Sequence, residues 1–351
     1  MKSIARFLSS NKGFTFGVGT LLLFVILKMI PTFADVCYRN FIFQLFRFIW
    51  DCTINLLPFS LVYIFIPAIP FILFFYFRKS SRSLVTIFVS LLNLAGIVFS
   101  LFMWMWGFNY CCSLVAPLER TTALSKQELF EFGIEIAENL NTTELTVFDD
   151  VSSYDNDIVE IGQAVEKQIR MHDIKVWGNP KLRILELTGK LRRLGIAGFY
   201  FPFTGQAYVD NTFLATTRNF IIAHELSHSY GIASEAEADF IAYLALKNSN
   251  LISVRARYLN YCADLELLRS IRYQLYLLED AIRLELDSKL NENILTELKA
   301  IKLNAAEYPE YFPGMQSTVN DKYLKLMGIE EGVMNYDRFI DLAWEYHHRA
   351  R

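Results

Sequence analysis

Surplus charge of one sign is missing from this chain. Lysine and arginine number 34 against 37 aspartates and glutamates, for a net charge of −3. Nothing in that balance marks a polyanionic partner, so no nucleic-acid ligand is expected. Cysteine is sparse and odd in number, with five in the chain, which rules out a disulfide scaffold. Only Cys37 and Cys52, in one loop, are placed to pair in an oxidising compartment. Cys111, Cys112 and Cys262 read as small apolar residues. Internal repeats and low-complexity tracts are absent. Histidine is also scarce, at five in 351 residues.

Charge is missing locally as well. Leu56 to Phe77 and Leu84 to Trp106 contain no charged residue, and Phe14 to Phe33 carries only Lys28. Each segment approaches the roughly 20 residues that a spanning helix needs. A lysine near the end of the first can snorkel to the interface. That first run is long and has no small-residue cleavage site close behind it, so it reads as an uncleaved anchor. Lys2, Arg6 and Lys12 precede the first span, and Arg78, Lys79 and Arg82 lie between the second and third. Basic loops stay cytoplasmic, which predicts a cytoplasmic N-terminus and an extracytoplasmic chain after residue 107. Trp104 and Trp106 would mark the outer interface. The stretch VCYRNFIFQLFRFIWDC between spans one and two reads as an amphipathic helix on the outer surface or as a hydrophobic loop packed on the spans.

Residues 108–351 read as one mainly helical, α+β domain. Ser125-Lys-Gln-Glu128 has the reciprocal capping pattern that starts a helix. A helix is expected over 157–171, and a short one from 182 to about 194. GFYFPFTGQAYVD, with Pro202 and Gly205 as turns, predicts a pair of short strands. Helices follow at about 216–230, 234–248, 251–278, 279–304, 318–327 and 335–348.

The chemistry concentrates in IIAHELSHSYGIASEAEADF, residues 221–240. On a helix, His224 and His228 are one turn apart on one face, so two imidazoles can approach one ion from the same side. With five histidines in the chain, a chance H-E-x-x-H arises in roughly one of a few hundred such sequences, which favours a metal site over a polar surface helix. Glu225 is rotated by about 100°. It is suited to accept a proton from the water that the metal activates. Gly231 is a helix stop and Ser234 an N-cap for the next helix. Glu235 then faces back towards the histidines as third ligand, with Glu237 as the alternative. Asp239, one turn on, is placed to accept the free N–H of a ligating histidine. The FYFPFTGQAYVD strands could offer an edge to an extended substrate, or simply pack the helix. Donors for a developing oxyanion could come from Tyr258, Tyr261, Tyr323, Tyr336, His347 or His348. Unless recruited, the tyrosines are core residues, the terminal histidines a solvated tail and His172 a surface residue.

HELSH followed by EAEAD resembles the glutamate zincins, whose pattern is H-E-x-x-H with a downstream E-x-x-A-D. That resemblance implies zinc held by His224, His228 and Glu235, Glu225 as general base, and Asp239 behind the ligands. Only six residues separate His228 from Glu235, fewer than is usual in zincins, which keeps Glu237 open. More closely, the chain is similar to a family of bacterial membrane proteins of unknown function. It shares three N-terminal spans, WGFNY, GFYFPFTGQA, HELSHSYGIASEAEADFIAYL and VNDKYLKLMGIEEGV. The resemblance implies a zinc metallopeptidase in the bacterial inner membrane, three spans over 1–107 and a zincin-like domain over 108–351, acting on a peptide or protein. A non-catalytic scaffold or sensor stabilised by the metal is the alternative.

Overall fold

The computed structural model describes residues 10–78, 83–119, 122–143, 154–247, 254–330, 332 and 338–349. The chain divides into two compact units. The first holds Met1–Ser113 with Lys175–Lys181 and Phe201–Gln206; the second holds Leu114–Ile174, Leu182–Tyr200 and Ala207–Arg351.

The first unit is helical. Helix α1 spans Lys12–Lys28. After one turn at Pro31–Phe33, a wide π-helical stretch, Ala34–Ile42, runs into α2, Phe43–Cys52. Helix α3 covers Val62–Arg78 and contains Pro67 and Pro70, and α4 covers Leu84–Met105. Helices α1 and α4 pack closely because small residues line both. A β-carbon on Gly17 would lie 2.8 Å from the Gly96 Cα. Thr20 donates to the Ser100 hydroxyl at 3.0 Å. Asn93 donates to the Asn11 side chain at 2.9 Å and accepts the Phe14 N–H at 3.1 Å. The partners advance together along both helices, so α1 and α4 run parallel. Small residues and side-chain hydrogen bonds are how helices associate where apolar surroundings supply no hydrophobic drive.

By length and composition, α4 could cross a membrane, and a second span exists if Lys12–Lys28 and Pro31–Leu56, bent by 112°, count as one. The first apolar run therefore ends earlier than the sequence predicts. Its helix stops at Lys28 and the chain turns at Pro31, whose missing N–H and fixed φ suit a new first turn. Val62–Phe75 is a shorter apolar helix. The basic residues Lys2, Arg6, Lys79 and Arg82 lie outside the described residues. All five cysteines, Cys37 and Cys52 among them, are free thiols.

The second unit surrounds one buried helix. Helix α5, Lys126–Asn141, begins with the expected reciprocal cap: Ser125 Oγ accepts the Glu128 N–H, and the Glu128 carboxylate accepts the Ser125 N–H at 2.8 Å. Helix α6 spans Tyr154–Met171. Strands β1 (Leu182–Leu185), β2 (Gly198–Phe201) and β3 (Gln206–Asp210) form a sheet ordered β1-β3-β2. The hairpin is the expected pair; β1 was expected to be helical. Its Leu-, Lys- and Glu-rich surroundings favour a helix locally. Parallel pairing with β3, Leu182 opposite Ala207 through Leu185 opposite Asp210, overrides that preference.

Helices α7 (Ala215–Ser229) and α8 (Glu235–Lys247) carry the motif, and α9 spans Val254–Leu278. Ala238, Ile241, Ala242, Tyr243 and Leu246 of α8 have no exposed surface, so α8 is apolar nearly all round, the mark of a core helix. It packs on α6, α7 and α9. The stretch expected as one helix over 279–304 is two, α10 (Asp280–Asp287) and α11 (Glu292–Ala306). The end of α5 holds the break open. Asn141 accepts the Asn291 N–H at 2.9 Å and donates to the Lys289 carbonyl at 2.8 Å. Helices α12 (Met315–Leu326) and α13 (Arg338–Arg349) complete the described elements.

Candidate metal centre

Helix α7 ends because Gly231, at φ +95°, adopts a left-handed conformation that costs glycine nothing. Its N–H bonds the His228 carbonyl at 2.9 Å, and the Ile232 N–H reaches the Ser227 carbonyl at 3.3 Å. This pattern closes a helix C-terminus. The reversal returns the Ile232 carbonyl to His228 Nδ1, 2.7 Å away. Ser234 then caps α8 by accepting the Glu237 N–H at 3.4 Å, and Glu235 starts the helix pointing back at α7.

Three of the expected residues converge. His224 Nε2 and His228 Nε2 are 3.0 Å apart, and Glu235 Oε2 is 3.3 Å from each. Behind them, Asp239 Oδ1 lies 2.6 Å from His224 Nδ1. A carboxylate and a backbone carbonyl can only accept, so each imidazole keeps an N–H at Nδ1, and its Nε2 offers a lone pair once it gives up its proton. With both rings neutral, three electron-pair donors would face one point, so a cation there would take the place of the ring protons. Ligand atoms at about 2.1 Å from a tetrahedral zinc sit roughly 3.4 Å apart, close to the spacing seen. The group could hold a metal ion, with one tetrahedral position left over for solvent.

The electrostatics agree with that reading. Burial opposes charge on both imidazoles. Asp239 and Glu235 nevertheless raise His224 well above the ordinary range, and Glu235 raises His228. Glu235 resists its own burial and is held low, chiefly by His228 and by hydrogen bonds from both rings. The pocket is thus an anionic frame calling for positive charge at its centre.

Glu225 is buried, and among the described residues its Oε2 has no hydrogen-bond partner. Burial pushes its carboxyl up to about 7 against the pull of His224 and His228. Strand β2 passes directly over it. A β-carbon on Gly198 would stand 2.8 Å from both Glu225 Cγ and Oε1. Gly198 was not among the expected residues, although a glycine inside a strand pattern is a signal of close backbone approach.

Glu237, the alternative ligand, is engaged elsewhere: its Oε1 accepts the Ala116 N–H at 2.8 Å. His347 is no solvated tail. Its Nδ1 meets Glu135 at 2.9 Å and its Nε2 the Tyr243 hydroxyl at 2.7 Å. His348 stacks on Trp344 at 4.2 Å between ring centres. Tyr258 and Tyr261 are buried on α9, where burial raises both hydroxyls. Tyr323 is half-buried on α12, and Tyr336 lies outside the described residues.

The family described as protein of unknown function (DUF3810) matches residues 38–344. The chain belongs to that family. The DUF3810 match takes in α2 to α4, the sheet and the whole of the α7–α8 motif. No curated protein and no solved structure matches.

Asp239 fixes the orientation and tautomer of His224, and such partners typically contribute 10–100-fold to metal affinity. If the group holds a metal, Asp239→Ala is expected to weaken its affinity for added zinc by about that factor, read by competitive titration against a chromogenic chelator, with the helical circular dichroism unchanged.

Proposed function

We propose that this protein is a membrane-anchored, zinc-dependent peptidase whose site lies outside the cytoplasm. The observation that carries the reading is the convergence of His224 Nε2, His228 Nε2 and Glu235 Oε2 beside buried Glu225, whose Oε2 has no hydrogen-bond partner among the described residues. A zinc-only staple needs the first three groups but not the fourth. Zinc so held would polarise a scissile carbonyl and bring the pKa of its water close to 7.

The chain's own residues supply the rest. Asp239 orients His224, and the Ile232 carbonyl orients His228. Glu225, with its raised pKa, is matched to taking a proton from water near neutral pH and passing it to the leaving amine. Strand β2 is a sheet edge lying against Glu225, so an extended peptide could add beside it by backbone pairing. The membrane topology is supported by the parallel course of α1 and α4. Two spans that start on the same side must run parallel, and the basic residues before α1 and before α4 favour the cytoplasm for that side.

A second reading, a metal-stabilised scaffold or sensor, is favoured by the low exposure of the three ligand side chains, 9–12 %. One experiment separates the two. The purified full-length protein is expected to carry one zinc per chain and to cleave members of a peptide library, with cleavage abolished by a chelator and restored by zinc. Full metal content without turnover of any peptide would favour the scaffold.

A further inference from the structure

The stretch from Ala34 to Asn55 buries charge and leaves an apolar face exposed. Arg39, Gln44, Arg47 and Asn55 point into the first unit beside Tyr38, Phe43 and Trp50, while a second set of apolar side chains points away. Arg47 and Gln44 have no exposed surface, Asn55 has 1 % and Arg39 8 %. On the other side, Val36, Phe41, Leu45, Phe48 and Ile49 are 44–67 % exposed. The wide π-helical turns keep the pattern in register, since the buried stripe steps from Ala34 to Tyr38, then by five residues to Phe43, then to Arg47 and Trp50.

The inward charges are matched. Arg39 pairs with Asp35 at 2.6 Å and donates to the Ser113 carbonyl at 3.0 Å. Arg47 pairs with Asp51 through two hydrogen bonds, at 2.8 and 3.2 Å, and its guanidinium lies over the Trp50 ring at 5.2 Å. Asn55 also donates to Asp51. Ionisable side chains in hydrocarbon face the protein interior and pair with one another or with backbone carbonyls. A helix lying against water would show the reverse arrangement.

We infer that the outward face of residues 36–49 is a lipid-contact surface, embedded among acyl chains with its charges turned inward. The inference deepens the membrane reading of the first unit and is independent of the peptidase reading. The occupant is acyl chain rather than a protein partner for a reason of continuity. The same apolar exposure runs on from α1, where Leu22, Val25 and Ile26 are 53–60 % exposed, and the two segments together pass as one bent span.

The test uses the full-length chain in phospholipid nanodiscs, with photoreactive benzoylphenylalanine replacing Phe41 or Phe48. Phe71 on α3, 65 % exposed, and Tyr273 on α9, 60 % exposed, serve as references. All four positions are exposed, so folding is expected to survive. After irradiation, mass spectrometry should find phospholipid adducts at positions 41, 48 and 71 and none at 273. Lipid adducts at 71 with none at 41 or 48 would overturn the inference and leave the membrane reading standing. Lipid adducts at none of the three would overturn both. Cross-links from 41 and 48 only to a second copy of the chain would also overturn it.

Discussion

Under the proposed peptidase reading, Glu225→Gln is expected to keep its zinc and lose hydrolysis by about 10²–10⁴-fold, the range that a positioned proton acceptor contributes. The substitution preserves shape, so Gly198 and the backbone of β2 have no reason to move. Metal content by atomic absorption and kcat on any cleaved peptide together read the result. Equal turnover in the two proteins would remove Glu225 from the mechanism. On that reading the wild-type protein should lose hydrolysis as pH falls, because Glu225 must be ionised to accept a proton. Its pKa of about 7 without metal sets the upper limit of that acid limb, since a nearby cation lowers it.

The same substitution carries a stability signature of opposite sign. The carboxyl is raised in the folded chain relative to the usual 4.5. Stability from this group is therefore complete below 4.5 and lost as pH rises through about 7. Glutamine has no such loss. At pH 8 the metal-free variant should melt above the metal-free wild type, which a scan of Tm against pH would show.

His228→Ala is expected to abolish stoichiometric zinc. It removes one of three ligands and leaves His224 and Glu235 without the third corner of the site. A ligand at a thousand times its Kd stabilises a fold by about 4 kcal/mol, and one kcal/mol shifts the Tm of a domain this size by roughly 2–4 °C. A chelator should thus lower the wild-type Tm by about 8–16 °C and leave His228→Ala unmoved. A chelator effect of equal size in both proteins would mean that the ion sits elsewhere.

The site was legible because its geometry is local. His224 and His228 are a helical turn apart, Gly231 and Ser234 dictate where one helix stops and the next starts, and Glu235 and Asp239 follow within a turn of each other. The choice between Glu235 and Glu237 was not local. It depends on the Ala116 N–H, 121 residues away, which engages Glu237. Strand β1 was misread for the same reason, as its pairing with β3 is invisible in its own composition. His347 looked like a tail because Tyr243 and Glu135 are remote in sequence. The division of α10 from α11 depends on Asn141, 150 residues from Asn291.

The glycine contact between α1 and α4 bears on what α4 would expose without α1. With α1 clipped off, the Asn93 amide would lose Asn11 and the Phe14 N–H, and Ser100 would lose Thr20. Asn93 would keep only the Val89 carbonyl, beside a groove at Gly96 shaped for a neighbour no longer there. Removing α1 would therefore open on α4 a small-residue groove that another helix of the same kind could fill.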